Sequence, residues 1–240
     1  TPFCDHFEAC GGCKAQHITY QAQIQLKAHF VHDNLTKIGK VSEPNLRPIM
    51  AAPAERYYRN RLDFAFTNNR WITEAEKATG ETVTERRGAG LHVPGRFDKV
   101  IDIEHCHLQP EPSNRIRLGI RDYAKAQGYT FYDIVRHEGF LRSLIIRTSS
   151  TKEVMVILMV TQEDQAAIDD LLGYLYQVFP EVTSINYVVN NKANDTFFDL
   201  PVYCYAGKPA LQEQVGALKL DLGPKSFYQT NSEGAKVLFD

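Results

Sequence analysis

The chain has 240 residues, 43% hydrophobic and 23% charged, and 27 Lys+Arg against 29 Asp+Glu give a formal net charge of −2. That composition excludes disorder, collagen and coiled-coil architectures. The longest apolar runs, such as Val154 to Val160, fall far short of the ~20 residues of a membrane helix. With no secretory leader at Thr1, a cytoplasmic location is expected. The missing initiator Met, and a helical pattern still running at Asp240, lead us to expect a piece of a longer protein.

Residues 1–19 are rich in Cys and Gly without periodicity and read as a loop. Tyr20, Ile24, Val31, Leu35 and Ile38 then recur at helical spacing, and Gly39 is a natural stop. Pro44, Pro48 and Pro53 mark a connector, so residues 20–55 form a helix and linker. Strands are expected at about 57–67, 83–87, 90–93 and 97–103. Ser113 can cap a helix that closes at Gly128. A hairpin over 142–149 and 153–160, a helix over 163–178 and a strand over 182–190 come next. Shorter strands near 197–204 and 217–222 lead to Ser226-Phe227-Tyr228-Gln229-Thr230-Asn231, and a last helix starts with Asn231 or Ser232 as its cap. This order implies an α+β fold: a mixed, mostly antiparallel sheet with helices packed on it. The central α+β unit spans 56–222, and 223–240 begins another.

Charge is unevenly spread. Residues 56–100 carry nine bases and six acids, whereas 161–240 carry five and eleven. The densest basic cluster is Arg56-Tyr57-Tyr58-Arg59-Asn60-Arg61. Alternation with Leu62, Phe64 and Phe66 puts Tyr58 and Asn60 on the apolar face and Arg59, Arg61 and Asp63 on the other. Two arginines at period-two spacing suit successive phosphates of a folded RNA. An ion pair with Asp63 accounts for them equally well.

Three of the five cysteines fall within ten residues, as Cys4-x5-Cys10-Gly-Gly-Cys13. In a cytosolic chain that clustering argues against disulfides. Gly11-Gly12 gives the backbone freedom to turn two thiolates onto one centre, and Cys106 is the natural fourth ligand. Four thiolates suit tetrahedral zinc or an iron–sulfur cluster. The three-plus-one spacing fits a [4Fe–4S] cube better than paired CxxC knuckles, while His105 and His107 beside Cys106 keep zinc open. Cys204, in an alternating apolar strand, reads as a core residue.

The cysteine motif followed by Gln16-His17 resembles the iron–sulfur motif of bacterial 23S rRNA (uracil-5-)-methyltransferases. The similarity continues through Tyr58-Arg59-Asn60-Arg61, from Pro94-Gly95-Arg96 to Cys106-His107-Leu108-Gln109, and through Gly139-Phe140-Leu141-Arg142 to Arg147. Ser226-Phe227-Tyr228-Gln229-Thr230-Asn231 is similar to the S-F-F-Q-x-N segment that leads into the family's methyltransferase domain. The resemblance implies methyl transfer from S-adenosylmethionine to C5 of a uridine in 23S rRNA, through thiolate addition at C6 on a base flipped from the RNA. It puts Cys4, Cys10, Cys13 and Cys106 on a structural or RNA-positioning [4Fe–4S] cluster. Arg59 and Arg61 would contact RNA, with Tyr58 packed beneath, and Phe227 and Gln229 would approach the cofactor and the flipped uridine. For Phe227 an interdomain plug is the competing role. Asn231 has an adequate role as a helix cap, and His17 stays unassigned between the cluster and a helix cap.

The family's catalytic cysteine, base and Gly-containing cofactor loop lie after the F-x-Q-x-N segment, and its TRAM domain lies ahead of Thr1. The chain is therefore expected to be the central, RNA-recognising part of a monomeric enzyme, inactive alone. The related tRNA enzymes generally lack the cysteine set, which favours rRNA. Residues 68–89, a polar insertion rich in Thr and Glu, depart from the family's short hairpin. The alternatives are a self-contained zinc-binding RNA-binding module and, more remotely, an iron–sulfur redox protein.

Overall fold

The computed structural model describes residues 1–239; Asp240, where the predicted last helix ends, lies outside the described residues. In chain order the elements are α1 (Tyr20–Asp33), a π-helical turn (Asn34–Ile38), β1 (Arg61–Thr67), α2 (Glu74–Ala78), β2 (Gly88–Val93) and β3 (Arg96–Asp102). Then come α3 (Ser113–Ala126), β4 (Leu141–Thr148), β5 (Val154–Val160), α4 (Gln165–Val178), β6 (Ser184–Val189), β7 (Tyr203–Gly207), β8 (Leu211–Val215), β9 (Leu218–Leu222) and α5 (Ser232–Phe239). Seven strands form one sheet in the order β3-β2-β1-β4-β5-β6-β7, and β8-β9 is a separate hairpin. Only β5 and β6 pair in parallel within that sheet, and α4 supplies the crossover such a pair requires.

The strand sequences explain the layering. In β1, Leu62, Phe64 and Phe66 are buried while Asp63 is exposed, the period-two pattern of a half-covered strand. Every residue of β5, Val-Met-Val-Ile-Leu-Met-Val, is buried, as expected of a strand covered on both faces. On one face Leu62, Phe64, Leu144, Ile146, Val156 and Leu158 pack with Ile116 and Ile120 of α3 and Ile168, Leu171 and Leu175 of α4. The two helices meet through stacked Tyr123 and Tyr174, 4.0 Å between centroids. On the other face Ile145, Met155, Ile157, Met159 and Val188 pack with Phe197 and Leu211. That second layer includes no described residue of β1, β2 or β3, although Thr67 and Val100 on the same face are buried. The mixed, mostly antiparallel sheet with helices on one face agrees with the α+β expectation.

Several local expectations are corrected. Residues 83–87 form no strand. The insertion instead carries the short α2, closed by a capping box of Thr73 and Glu76 and by the Arg70–Glu76 pair at 2.6 Å. The first strand begins at Arg61 rather than residue 57, because Tyr57 adopts φ +55° and breaks the extended run. Ser113 does not cap α3: it is already helical, and its Oγ donates to the buried Gln109 Oε1 at 2.5 Å. Cys204 is exposed, because it lies on β7, the edge strand, away from both apolar layers. No helix among the described residues is long and apolar enough to cross a membrane.

Leu144 is fully buried at the centre of the sheet. Leu144→Ala should therefore lower stability by about 2–5 kcal/mol, read as an earlier urea-unfolding midpoint with an unchanged slope.

Candidate functional site

The cysteine-rich loop has no helix or strand before Tyr20, so other elements must place it. Gly11 N–H donates to His92 O on β2 at 2.9 Å, and His6 Nε2 accepts Glu104 N–H at 3.0 Å. Neither Gly11 nor Gly12 has a positive φ. The expected need for an unusual backbone conformation is thus replaced by a steric one. A Cβ on Gly11 would sit 2.5 Å from His92 O, and one on Gly12 would sit 2.7 Å from Leu91 Cδ1 and 3.5 Å from Cys10 Sγ. Glycine lets the loop lie flat on β2.

This placement brings Cys4, Cys10, Cys13 and Cys106 to the wall of one small cavity, with His105 and His107 at its edge. Cys106 is 7% exposed. Asn114 of α3 grips its backbone from both sides: Oδ1 accepts Cys106 N–H at 2.8 Å and Nδ2 donates to Cys106 O at 3.1 Å. Burial pushes the Cys10 thiol up to about 11 and also raises Cys4 and Cys106. A metal entering here must displace protons. Among the described residues, no three His, Cys, Asp or Glu side chains are disposed to hold a single metal ion. By chemistry alone, four cysteine sulfurs around one cavity are the donor type that thiolate-bound centres take. Tyr57 ties the two flanking imidazoles together, its hydroxyl 3.1 Å from His105 Nε2 and 3.0 Å from His107 Nδ1. His17 leans on Phe7, 5.8 Å between centroids, while Thr19 caps α1.

Gly12, Leu91 and Leu108 also line a neighbouring cleft of about 450 Å³. Its wall includes Arg59, Arg61, Arg147, Phe198, Phe227 and Tyr228. Arg61 pairs with Asp63 through two contacts of 2.8 Å, the plainer of the two roles foreseen for it. Arg147 lies directly opposite Arg61 in the β1–β4 register. Its Nη1 donates to Gly223 O at 2.8 Å, and burial, with Arg61 beside it, holds its pKa down at about 10. Phe227 is 85% exposed and Phe198 59% exposed. Tyr58 lies outside this cleft and packs against the core, as the packing role had it. The Gln229 side chain is exposed and is not part of the cleft wall.

The segment bearing Phe227 is strapped to the start of β1. Asn60 N–H donates to Thr230 O at 2.8 Å, and Asn60 Nδ2 donates to Gln229 O at 2.8 Å and Ser232 Oγ at 2.9 Å. Ser232 Oγ in turn donates to the buried Glu213 at 3.1 Å. Asn231 caps α5 by accepting Gly234 N–H at 2.8 Å. Sequence reasoning missed Arg147, Phe198 and Tyr228 as parts of one cleft. Only the β1–β4 register, which sets Arg147 against Arg61, could have revealed the first.

No protein-family model matches the chain. It is 46% identical over 241 residues to an uncharacterized RNA methyltransferase of Bacteroides thetaiotaomicron, covering 99% of this chain and 53% of that protein. A Porphyromonas gingivalis protein of the same description is 44% identical over 243 residues, with 99% and 52% covered. These relatives are RNA methyltransferases by name. The chain spans about half the length of the curated relatives it matches. The fold is similar to that of Pyrococcus abyssi tRNA (uracil-54, C5)-methyltransferase, solved in complex with S-adenosyl-L-homocysteine. There the TM-score is 0.68 at 24% identity, over 95% of this chain and 48% of the other.

Asn60→Ala removes both side-chain bonds that hold the 229–232 backbone. A loss of about 1–3 kcal/mol in stability is expected, together with faster limited proteolysis within 223–231.

Proposed function

We propose that this chain is the RNA-recognition part of an S-adenosylmethionine-dependent RNA uridine C5 methyltransferase acting on 23S rRNA, with Cys4, Cys10, Cys13 and Cys106 on a [4Fe–4S] cluster. The observation that carries the reading is the meeting of Arg59, Arg61 and Phe227 in one cleft, in a chain aligned over 99% of its length with RNA methyltransferases by name. Arg59 has no carboxylate partner among the described residues; its Nε bonds only Arg61 O at 3.4 Å. Its guanidinium is free to meet a phosphate. Exposed Phe227 and Phe198 offer faces on which unpaired bases stack. A cleft of about 450 Å³ is of ligand-binding size.

The cluster, when bound, supplies cross-links rather than electron transfer, since methyl transfer to C5 needs no electron. The four cysteines would pin the N-terminal loop to the end of β3, and Gly12 and Leu91 would carry that rigidity to the cleft wall. Phe227, on the cleft wall, and Gln229, exposed two residues further along and outside that wall, are assigned to the cofactor and the flipped uridine. Two side chains do not enclose a nucleoside, so S-adenosylmethionine binding, the nucleophile and the base are assigned to a longer chain of the relatives' length. The chain alone would bind RNA without methylating it. Relatives of twice the length and the similar tRNA enzyme, solved with S-adenosyl-L-homocysteine, support that division. The alternative, a zinc-binding RNA-binding module, draws on His105 and His107 at the cavity edge.

Anaerobically purified protein is expected to be brown with about four irons per chain; zinc without iron would favour the alternative. In fluorescence anisotropy with a 23S rRNA fragment, Arg59→Ala should weaken binding and reduce the slope of log affinity against log salt by about 1. Unchanged affinity and slope would remove Arg59 from the interface.

A further inference from the structure

Arg117 of α3 is 0% exposed. The neighbouring acids are engaged elsewhere: Asp102 pairs with Arg121 and Lys125, and Glu104 with Arg121. The Arg117 guanidinium bonds only neutral acceptors. It donates to Ile103 O, to Ala89 O and Glu104 O at 3.3 Å each, and to Asn114 Oδ1 at 3.2 Å. Its Nε has no hydrogen-bond partner among the described residues, and the Phe64 ring lies 5.3 Å from its carbon centre. Burial pulls its pKa down to about 10. The Asp102 and Glu104 carboxylates act on it without a contact, and a buried cation with no anion in contact is costly.

The missing anion is in reach. Asn114 Oδ1, which Arg117 touches, is the atom that accepts Cys106 N–H. Arg117 is thus one residue removed from the cysteine cavity, whose wall includes Cys106. Four thiolates on zinc or on an oxidised [4Fe–4S] core leave a net charge of about −2. We propose that Arg117 is the buried counter-charge of the metal centre held by the four cysteines, with Asn114 as the link that fixes Cys106 to it. The inference rests on the reading that those cysteines hold a metal. It does not depend on which metal they hold.

The test compares anaerobically prepared wild type, Arg117→Lys and Arg117→Gln. Metal content, release to a chelator and, for iron, the cluster midpoint potential are measured, with circular dichroism reporting the fold. The Lys variant keeps the charge and should keep the metal. The Gln variant keeps polar contact without charge and should bind metal about 10–100-fold more weakly. Its midpoint potential should fall, because an added electron meets uncompensated negative charge. Wild-type retention and potential in the Gln variant would overturn the proposal. So would equal metal loss in both variants, since that marks the guanidinium fork as merely structural. If the Gln variant does not fold, Arg117→citrulline, introduced by chemical ligation, keeps the shape and most N–H donors of the side chain while removing its charge. Faster metal release than wild type is then expected, and unchanged release refutes the idea. Wild type without iron or zinc overturns the cysteine reading along with this one; metal in the wild type with no effect of charge overturns this one alone.

Discussion

The grip of the N-terminal loop on the end of the sheet is the contact on which the rest depends. Residues 1–19 bury little of their own surface, and a loop without internal secondary structure must borrow its order. Gly11 N–H on His92 O and Glu104 N–H on His6 Nε2 provide it from β2 and from the residue after Ile103. Three cysteines from this loop then face a fourth whose backbone Asn114 holds from below. Because Gly12, Leu91 and Leu108 line both the cysteine cavity and the cleft, any shift of the loop deforms the cleft wall. The cysteine cavity, the sheet and the cleft are coupled there through three shared residues.

The C-terminal segment is held by a different logic. Residues 226–231 make no named strand, yet Asn60 sits 8% exposed beneath them and supplies one backbone and two side-chain bonds. Glu213, fully buried, accepts from Ser150 N–H, Gln214 N–H and Ser232 Oγ. A buried carboxylate with three donors holds its neighbours firmly because leaving any of them unpaired is expensive. The result presents Phe227 to solvent on a segment held by buried hydrogen bonds.

Much of this was legible in the sequence, and the parts that were not share a cause. Alternation in Leu62, Phe64 and Phe66, and the unbroken apolar run of β5, announced the sheet because burial has a period. The Cys4-x5-Cys10-Gly-Gly-Cys13 spacing announced that these thiols would gather, and the fold brings them with Cys106 to one cavity. Ser113 failed as a cap because tertiary contact with Gln109 outcompeted a local bond. Cys204 failed as a core residue because alternation reports two faces but not which strand stands at the edge. Arg147 and Phe198 were invisible as cleft residues because their place depends on the pairing of strands far apart in sequence.

The cleft's charge follows from the same pairing. Arg61 and Arg147 are cross-strand partners of like sign, an arrangement that is unfavourable on its own. Asp63 relieves it by taking Arg61, and backbone carbonyls take Arg147. Asp63 is 50% exposed at its side chain, and an ion pair so open to water is worth only about 0–1 kcal/mol. A phosphate can therefore displace that carboxylate at small cost, whereas Arg147, fixed to Gly223, cannot follow it. Arg59 and Arg61 are the less constrained charges of the cleft, and Arg147 is part of its frame.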